Sequence, residues 1–201
     1  MLRKQVAPTA RAIALAFVSC LMLSGCLSTK MYVDPALPTV AKADIQPAAE
    51  PRPVQLLFEF RTKGNANAKA TAEIRPRVVA AAAESGLFST VSQAPADGGV
   101  LTVTIDNIVL DDAAMAKGFG TGLTFGLVGS MVTDGYVCTA SYSRDGITTQ
   151  AEVKHAIHTT IGNHAAPEGL TPMEPQAAVH KAMDQIAWNL LKQLSAKHAF
   201  D

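Results

Sequence analysis

Several classes of function are excluded by what this sequence lacks. Lys and Arg number 17 against 17 Asp and Glu, with no basic cluster. Phosphate backbones need clustered cations, so nucleic acid is not an expected partner. Aromatic residues make up only 5% of the chain, so any core will be modest and built mainly of aliphatic side chains. His155 and His158 are three apart, which on a strand sends them to opposite faces and prevents joint chelation of one metal. His164, His180 and His198 have no ligand partner at a recognisable spacing. The run Gly118-Phe119-Gly120-Thr121-Gly122 lacks the following Lys-Ser or Lys-Thr of a phosphate loop. Ser130 follows Gly129 without the flanking pattern of a hydrolase elbow. Asp111-Asp112, at a strand end, reads as capping a turn or solvating the loop, not as an acid pair. No catalytic residue, cofactor site or metal site is expected, and the chain does not read as an enzyme.

Long apolar runs are also missing. The longest near the N-terminus, Ala12 to Leu23, is shorter than the ~20 residues a bilayer span requires. It follows Arg3, Lys4 and Arg11, the basic-then-apolar order of a secretory signal. It ends in Leu23-Ser24-Gly25-Cys26, whose small residues admit a peptidase to the backbone. This tetrapeptide resembles the lipobox of bacterial lipoproteins. The resemblance implies cleavage before Cys26, a diacylglycerol on its sulfur and acylation of the new amino terminus, including palmitate. Acyl chains worth about 0.8 kcal/mol per buried methylene make such attachment effectively permanent. Leu27, where an aspartate would mark retention, resembles an outer-membrane address. The mature chain would carry 14 basic and 17 acidic residues, a net charge of −3. Cys20 leaves with the signal and Cys26 carries lipid, so Cys138 has no disulfide partner in the chain. With no local Cys–His signature it reads as a packed thiol.

The chain therefore divides into a signal peptide at 1–25, a lipidated Pro/Ala-rich tether at 26–53 and a domain at 54–201. Pro35, Pro38, Pro47, Pro51 and Pro53 make 27–53 read as a linker, spanning roughly 30 Å as a flexible coil.

Within the domain, Val54 to Phe60 is rich in strand formers. A helix is predicted from about Asn67 to Ser85, with Ile74, Val78, Ala81 and Ala82 on its apolar side, Pro76 starting or kinking it, and Gly86 as its stop. Leu87 to Val91 reads as a short strand. Val100 to Leu110 alternates Leu101, Val103 and Ile105 against Thr102, Thr104 and Asp106, then changes parity at Ile108 and Leu110, which predicts a bulge or twist. Tyr136, Cys138, Ala140 and Tyr142 share one face of the next strand. Asp145-Gly146 signals a turn. The strand from Ile147 to Ile161 follows, with Ala151, Val153, His155 and Ile157 on a dry face and Gln150, Glu152, Lys154 and His158 on a wet one. The last helix is predicted from Thr171-Pro172-Met173-Glu174, Thr171 capping it. Its stripe is Val179, Met183, Ile186, Leu190 and Leu194, each worth about 1.5 to 3 kcal/mol if buried. The expected fold is α+β: an antiparallel sheet with two packed helices in a two-layer sandwich, and a glycine-rich insertion between strands.

That insertion, 113–132, is the least ordinary stretch. At helical spacing Gly118, Gly122, Gly126 and Ser130 form a small-residue ridge beside Phe119, Leu123, Leu127 and Met131. This is the small-xxx-small pattern that lets helices approach closely in lipid. In water it would be a poor helix, each glycine costing about 1 kcal/mol relative to alanine. At a period of two, Phe119, Thr121, Leu123, Phe125 and Leu127 oppose a glycine face, which would suit one wall strand of an oligomeric barrel. The helical or membrane-dipping form is the first reading, a flexible surface loop the second and the barrel strand the last.

The layout of residues 54 to 196, with its junction at Ser85-Gly86-Leu87-Phe88 and Val91, resembles the small periplasmic domains of cell-wall-synthesis activator lipoproteins and curli-type secretion lipoproteins. It implies a lipid-anchored, non-catalytic envelope protein at the outer membrane, facing the periplasm. Its partner would be a protein or lipid in outer-membrane assembly or maintenance, and a homo-oligomer is also open. The glycine-zipper-like ridge would serve membrane contact or self-association. The alternative is an oligomeric secretion or pore component.

Overall fold

A computed structural model describes residues 29–110, 131–161 and 169–201. Cys26 and the ridge Gly118, Gly122, Gly126 and Ser130 lie outside the described residues. The strands are β1 (Thr29–Val33), β2 (Arg52–Thr62), β3 (Asn65–Ala66), β4 (Phe88–Ser92), β5 (Val100–Val109), β6 (Met131–Arg144) and β7 (Ile147–Ile161). The helices are α1 (Ala68–Glu84) and α2 (Pro175–Ala196). The fold is α+β, one open sheet in the order β1-β7-β6-β5-β2-β3, with β4 beside the start of β2.

The sheet is mixed, which corrects the antiparallel expectation. β2 pairs parallel with β5 and with β4, while β5, β6, β7 and β1 pair antiparallel in succession. A parallel neighbour needs a crossover, and the chain from β2 to β5 passes through α1, whereas β6 and β7 meet through a two-residue turn. At that turn Asp145 and Gly146 both take positive φ, 52° and 80°, as a hairpin of matching twist requires.

Local signals account for most elements. Asn67 caps α1 by accepting from the Ala70 amide at 3.0 Å, and Gly86 follows the helix at φ +82°. Pro76 sits inside α1 without ending it. Ile74, Val78, Ala81 and Ala82 are its buried side. In α2, Met183, Ile186, Leu190 and Leu194 are buried and Val179 is partly so. They cover Leu56, Phe58, Leu101, Val103, Ile105, Cys138, Ala140 and Val153 on one face of the sheet in a single core. Arg77 of α1 grips Asp184 of α2 through two hydrogen bonds, 2.9 and 2.6 Å.

The start of α2 differs from the capping expectation. Its N-cap is Glu174, with no side-chain cap bond, and Pro175 opens the helix. Met173 instead exchanges two backbone hydrogen bonds with Met31, 3.2 and 2.8 Å. The Thr171-Pro172 signal therefore lies ahead of the helix, in a segment committed to the edge strand.

The expectation of a free tether is also corrected for the described part of 26–53. Thr29–Val33 is an edge strand of the sheet, and Tyr32, Val40 and Ile45 are buried. After β1 the chain crosses the helical layer beside α2 and reaches the opposite end of the sheet, where β2 begins. We call residues 34–48 the strap.

No bulge interrupts β5. Its register with β6 runs unbroken from Asp106↔Val137 to Ile108↔Gly135. The parity change at Ile108 has a different cause: at this end the second face of the sheet is also dry. Ala156 and His158 are fully buried and Thr160 nearly so. Leu110 lies over Gly135, where an added Cβ would stand 2.7 Å from the leucine side chain. His158, expected on a wet face, is thus interior.

Candidate functional site

The strap is held by polar side chains from the buried side of α2. Gln185 donates through Nε2 to the Leu37 carbonyl at 3.2 Å and to Thr39 Oγ1 at 3.1 Å. Asn189 donates to the Pro38 carbonyl at 2.8 Å, and Ser195 to the Gln46 carbonyl at 2.7 Å. A proline-rich coil offers carbonyls with few amides of its own to satisfy them, so donors from a neighbouring helix complete its hydrogen bonding. Gln185, Asn189 and Ser195 were missed as site residues. The available signal was their spacing: Gln185 and Asn189, four apart, share the helix face of Ile186 and Leu190.

Gln185 also joins the strap to the sheet. His155 Nε2 stands 3.0 Å from Gln185 Oε1, an acceptor, so the imidazole carries its proton on Nε2. His155 Nδ1 is buried with no hydrogen-bond partner. Burial holds this imidazole down from 6.5 to about 4. His155 is therefore a neutral interior histidine satisfied on one nitrogen.

On the other face, His158 links two elements. Its Nε2 lies 3.0 Å from Asp34 Oδ2, and its Nδ1 lies 3.0 Å from Thr133 Oγ1. Asp34 Oδ1 accepts the Ala36 amide at 2.8 Å, turning the chain out of β1. The order carboxylate, imidazole, hydroxyl is that of a nucleophile-activating relay. Here Asp34 and His158 have no exposed surface, and the geometry pins the end of β1 to β7. His155 and His158 therefore have separate partners, one on α2 and one at the root of the strap.

Two grooves flank the strap. One of about 560 Å³ lies among Asp34, Leu37, Met173, Lys181 and Gln185. The other, about 480 Å³, lies among Val40, Arg77, His180, Asp184 and Trp188. Neither is lined by Thr133 or His158. Cys138 is fully buried, and burial pushes its thiol well above the usual range. Among the described residues no group of three or more His, Cys, Asp or Glu is placed to hold a metal. Among the same residues no helix is long and apolar enough to cross a membrane.

The register brings several chain ends together. Thr29 opens β1 opposite Ile161, the last residue of β7. Met131 opens β6 opposite Thr160, and Val109 closes β5 opposite Asp134. The residue three after Cys26 and both strands that flank the glycine-rich insertion thus meet at one end of the sheet.

No protein-family model matches this chain, and no curated protein does. Solved structures resemble it distantly. A Xanthomonas campestris protein of the DUF330 family is 15% identical, covering 77% of this chain and 94% of its own at a TM-score of 0.36. The PelC dodecamer from Paraburkholderia phytofirmans is 11% identical, covering 82% and 97% at 0.34. A putative lipoprotein from Caulobacter crescentus is 11% identical, covering 71% and 87% at 0.26. At these TM-scores the likenesses carry no argument about function.

Proposed function

We propose that this chain is a lipid-anchored, non-catalytic envelope protein. Cys26 would hold it in the outer membrane, facing the periplasm, where it binds a protein or lipid partner in envelope assembly or maintenance. The ridge Gly118, Gly122, Gly126 and Ser130 would serve membrane contact or self-association. The observation that carries this reading is the shared sheet end. Thr29 is three residue steps from Cys26, a reach of about 10 Å, and Thr29 is locked into the sheet. An acyl anchor at Cys26 would hold that end against the bilayer. The glycine-rich segment leaves β5 and returns to β6 at the same end, so it too would face lipid. The polar clusters at His155 and His158 are engaged by structural partners.

The test is fractionation and crosslinking in the native host, comparing wild type, Cys26→Ala and a Gly122→Leu/Gly126→Leu double variant. Outer-membrane residence that disappears in Cys26→Ala supports the anchor. Crosslinked oligomers or lipid crosslinks that disappear in the double glycine variant support the ridge. Unchanged location in Cys26→Ala overturns the anchor, and unchanged crosslinks in the glycine variant remove the ridge from the mechanism.

A further inference from the structure

Four large apolar side chains are exposed among the described residues: Leu57, Val132, Ile147 and Ile161. Two of them, Val132 at 58% and Ile161 at 44% exposure, sit at the sheet end that receives the chain from Cys26. Val132 pairs with Thr159, and Ile161 is two residues further along β7. Both side chains therefore lie on the same face, as diagonal neighbours about 7 Å apart. Thr29 lies directly opposite Ile161, and Lys30 beside it is exposed.

From this placement we infer that the Val132–Ile161 rim is a membrane-contact surface, inserting its two side chains at the boundary between headgroups and acyl chains. The inference rests on the Cys26 anchor proposed above and extends it to the orientation of the domain. Three residues of chain cannot carry the rim far from the anchor: fully extended they reach about 10 Å. An exposed valine and isoleucine held that close to lipid lose less by entering the interface than by facing water. Lys30, one residue past Thr29, presents an ammonium at headgroup level, where its aliphatic stem can lie along the apolar boundary. The opposite end of the sheet supplies an internal control. Ile147 is more exposed still, at 72%, but lies at the other end of β7. Fourteen strand steps of about 3.3 Å put it roughly 45 Å away.

Depth measurement on the full-length lipidated protein, in phosphatidylethanolamine/phosphatidylglycerol vesicles containing a brominated phospholipid, tests this. Single Val132→Cys, Ile161→Cys and Ile147→Cys variants would carry a bimane label. Cys138 is buried and resists the label. The expected result is at least twofold quenching by brominated lipid at 132 and 161, and none at 147. Protein that floats with the vesicles but shows equal quenching at the three positions overturns the inference and leaves the anchor standing. Protein that fails to float overturns the anchor and the inference together. Disulfide crosslinking between unlabelled Val132→Cys copies, without quenching of the labelled form, overturns it in favour of a contact between two copies of the chain.

Discussion

Gln185 Oε1 accepts the Nε2 proton of His155 at 3.0 Å, so a buried helix residue selects the tautomer of a buried strand residue. The same amide uses its nitrogen to hold the strap at Leu37 and Thr39. One side chain therefore ties sheet, helix and strap together.

Gln185→Leu keeps much of the volume but removes the bonds to His155, Leu37 and Thr39. Leaving the buried His155 nitrogen without its acceptor, and releasing the part-buried strap contacts, should cost about 2 kcal/mol, read as a lower urea midpoint with an unchanged slope. Limited proteolysis should then cut between residues 35 and 48 faster than elsewhere in the domain. Uniform cleavage would show that Gln185 does not hold the strap in particular.

The lowered His155 pKa makes stability depend on acidity. Between pH 6.5 and about 4 the unfolded chain binds a proton that the folded chain refuses. This contribution is complete above pH 6.5, declines as pH falls, and is lost once pH passes below about 4. Its full size is of order 3 kcal/mol. Urea titrations from pH 7 to pH 4 should show a steeper loss for wild type than for His155→Leu, although the variant starts from lower stability. Parallel curves would show that this imidazole is not the group responsible.

Asp34 and His158 form a buried pair that fastens the end of β1. Asp34→Ala leaves the imidazole without its carboxylate and should cost about 3 kcal/mol. Hydrogen exchange should rise most at the amides of Thr29–Val33. Protection that falls equally in α1 and β1 would mean that the pair supports the whole fold and not its edge.

Gly135 and Leu110 are matched in size. Gly135→Ala places a methyl 2.7 Å from the leucine side chain and should cost about 1 to 3 kcal/mol. Adding Leu110→Ala should recover part of that loss. A double-mutant cycle with no coupling would place the cost in the backbone instead.

How much was legible depended on the range of the interactions. The apolar side of α1, the stripe of α2, the dry faces of β5 to β7 and the Asp145-Gly146 turn are local patterns, and each appears where its periodicity places it, whereas His158 on the expected wet face of β7 does not. The parity change at Ile108 and Leu110 was visible too, but its cause was not local. It reflects a second dry face, which depends on Gly135 and Ala156 from other strands. Cys26 and the glycine ridge were legible as motifs and lie outside the described residues.

The strap shows where local reading stops. Its prolines and few large side chains have the composition of a linker. A short turn at Lys42–Asp44 satisfies the Ala41 and Lys42 carbonyls, but the carbonyls of Leu37, Pro38 and Gln46 take their donors from outside the strap. Those donors come from Gln185, Asn189 and Ser195, 148 to 151 positions away. By itself the sequence determined the two helices, the alternating strands and the tight hairpin, because backbone propensity and 2.0 or 3.6 periodicity act over a few residues. Only the tertiary structure decided the parallel pairing of β2 with β5, the burial of His158 and the ordering of the strap, because each is set by partners that only the folded chain brings within hydrogen-bonding or packing distance.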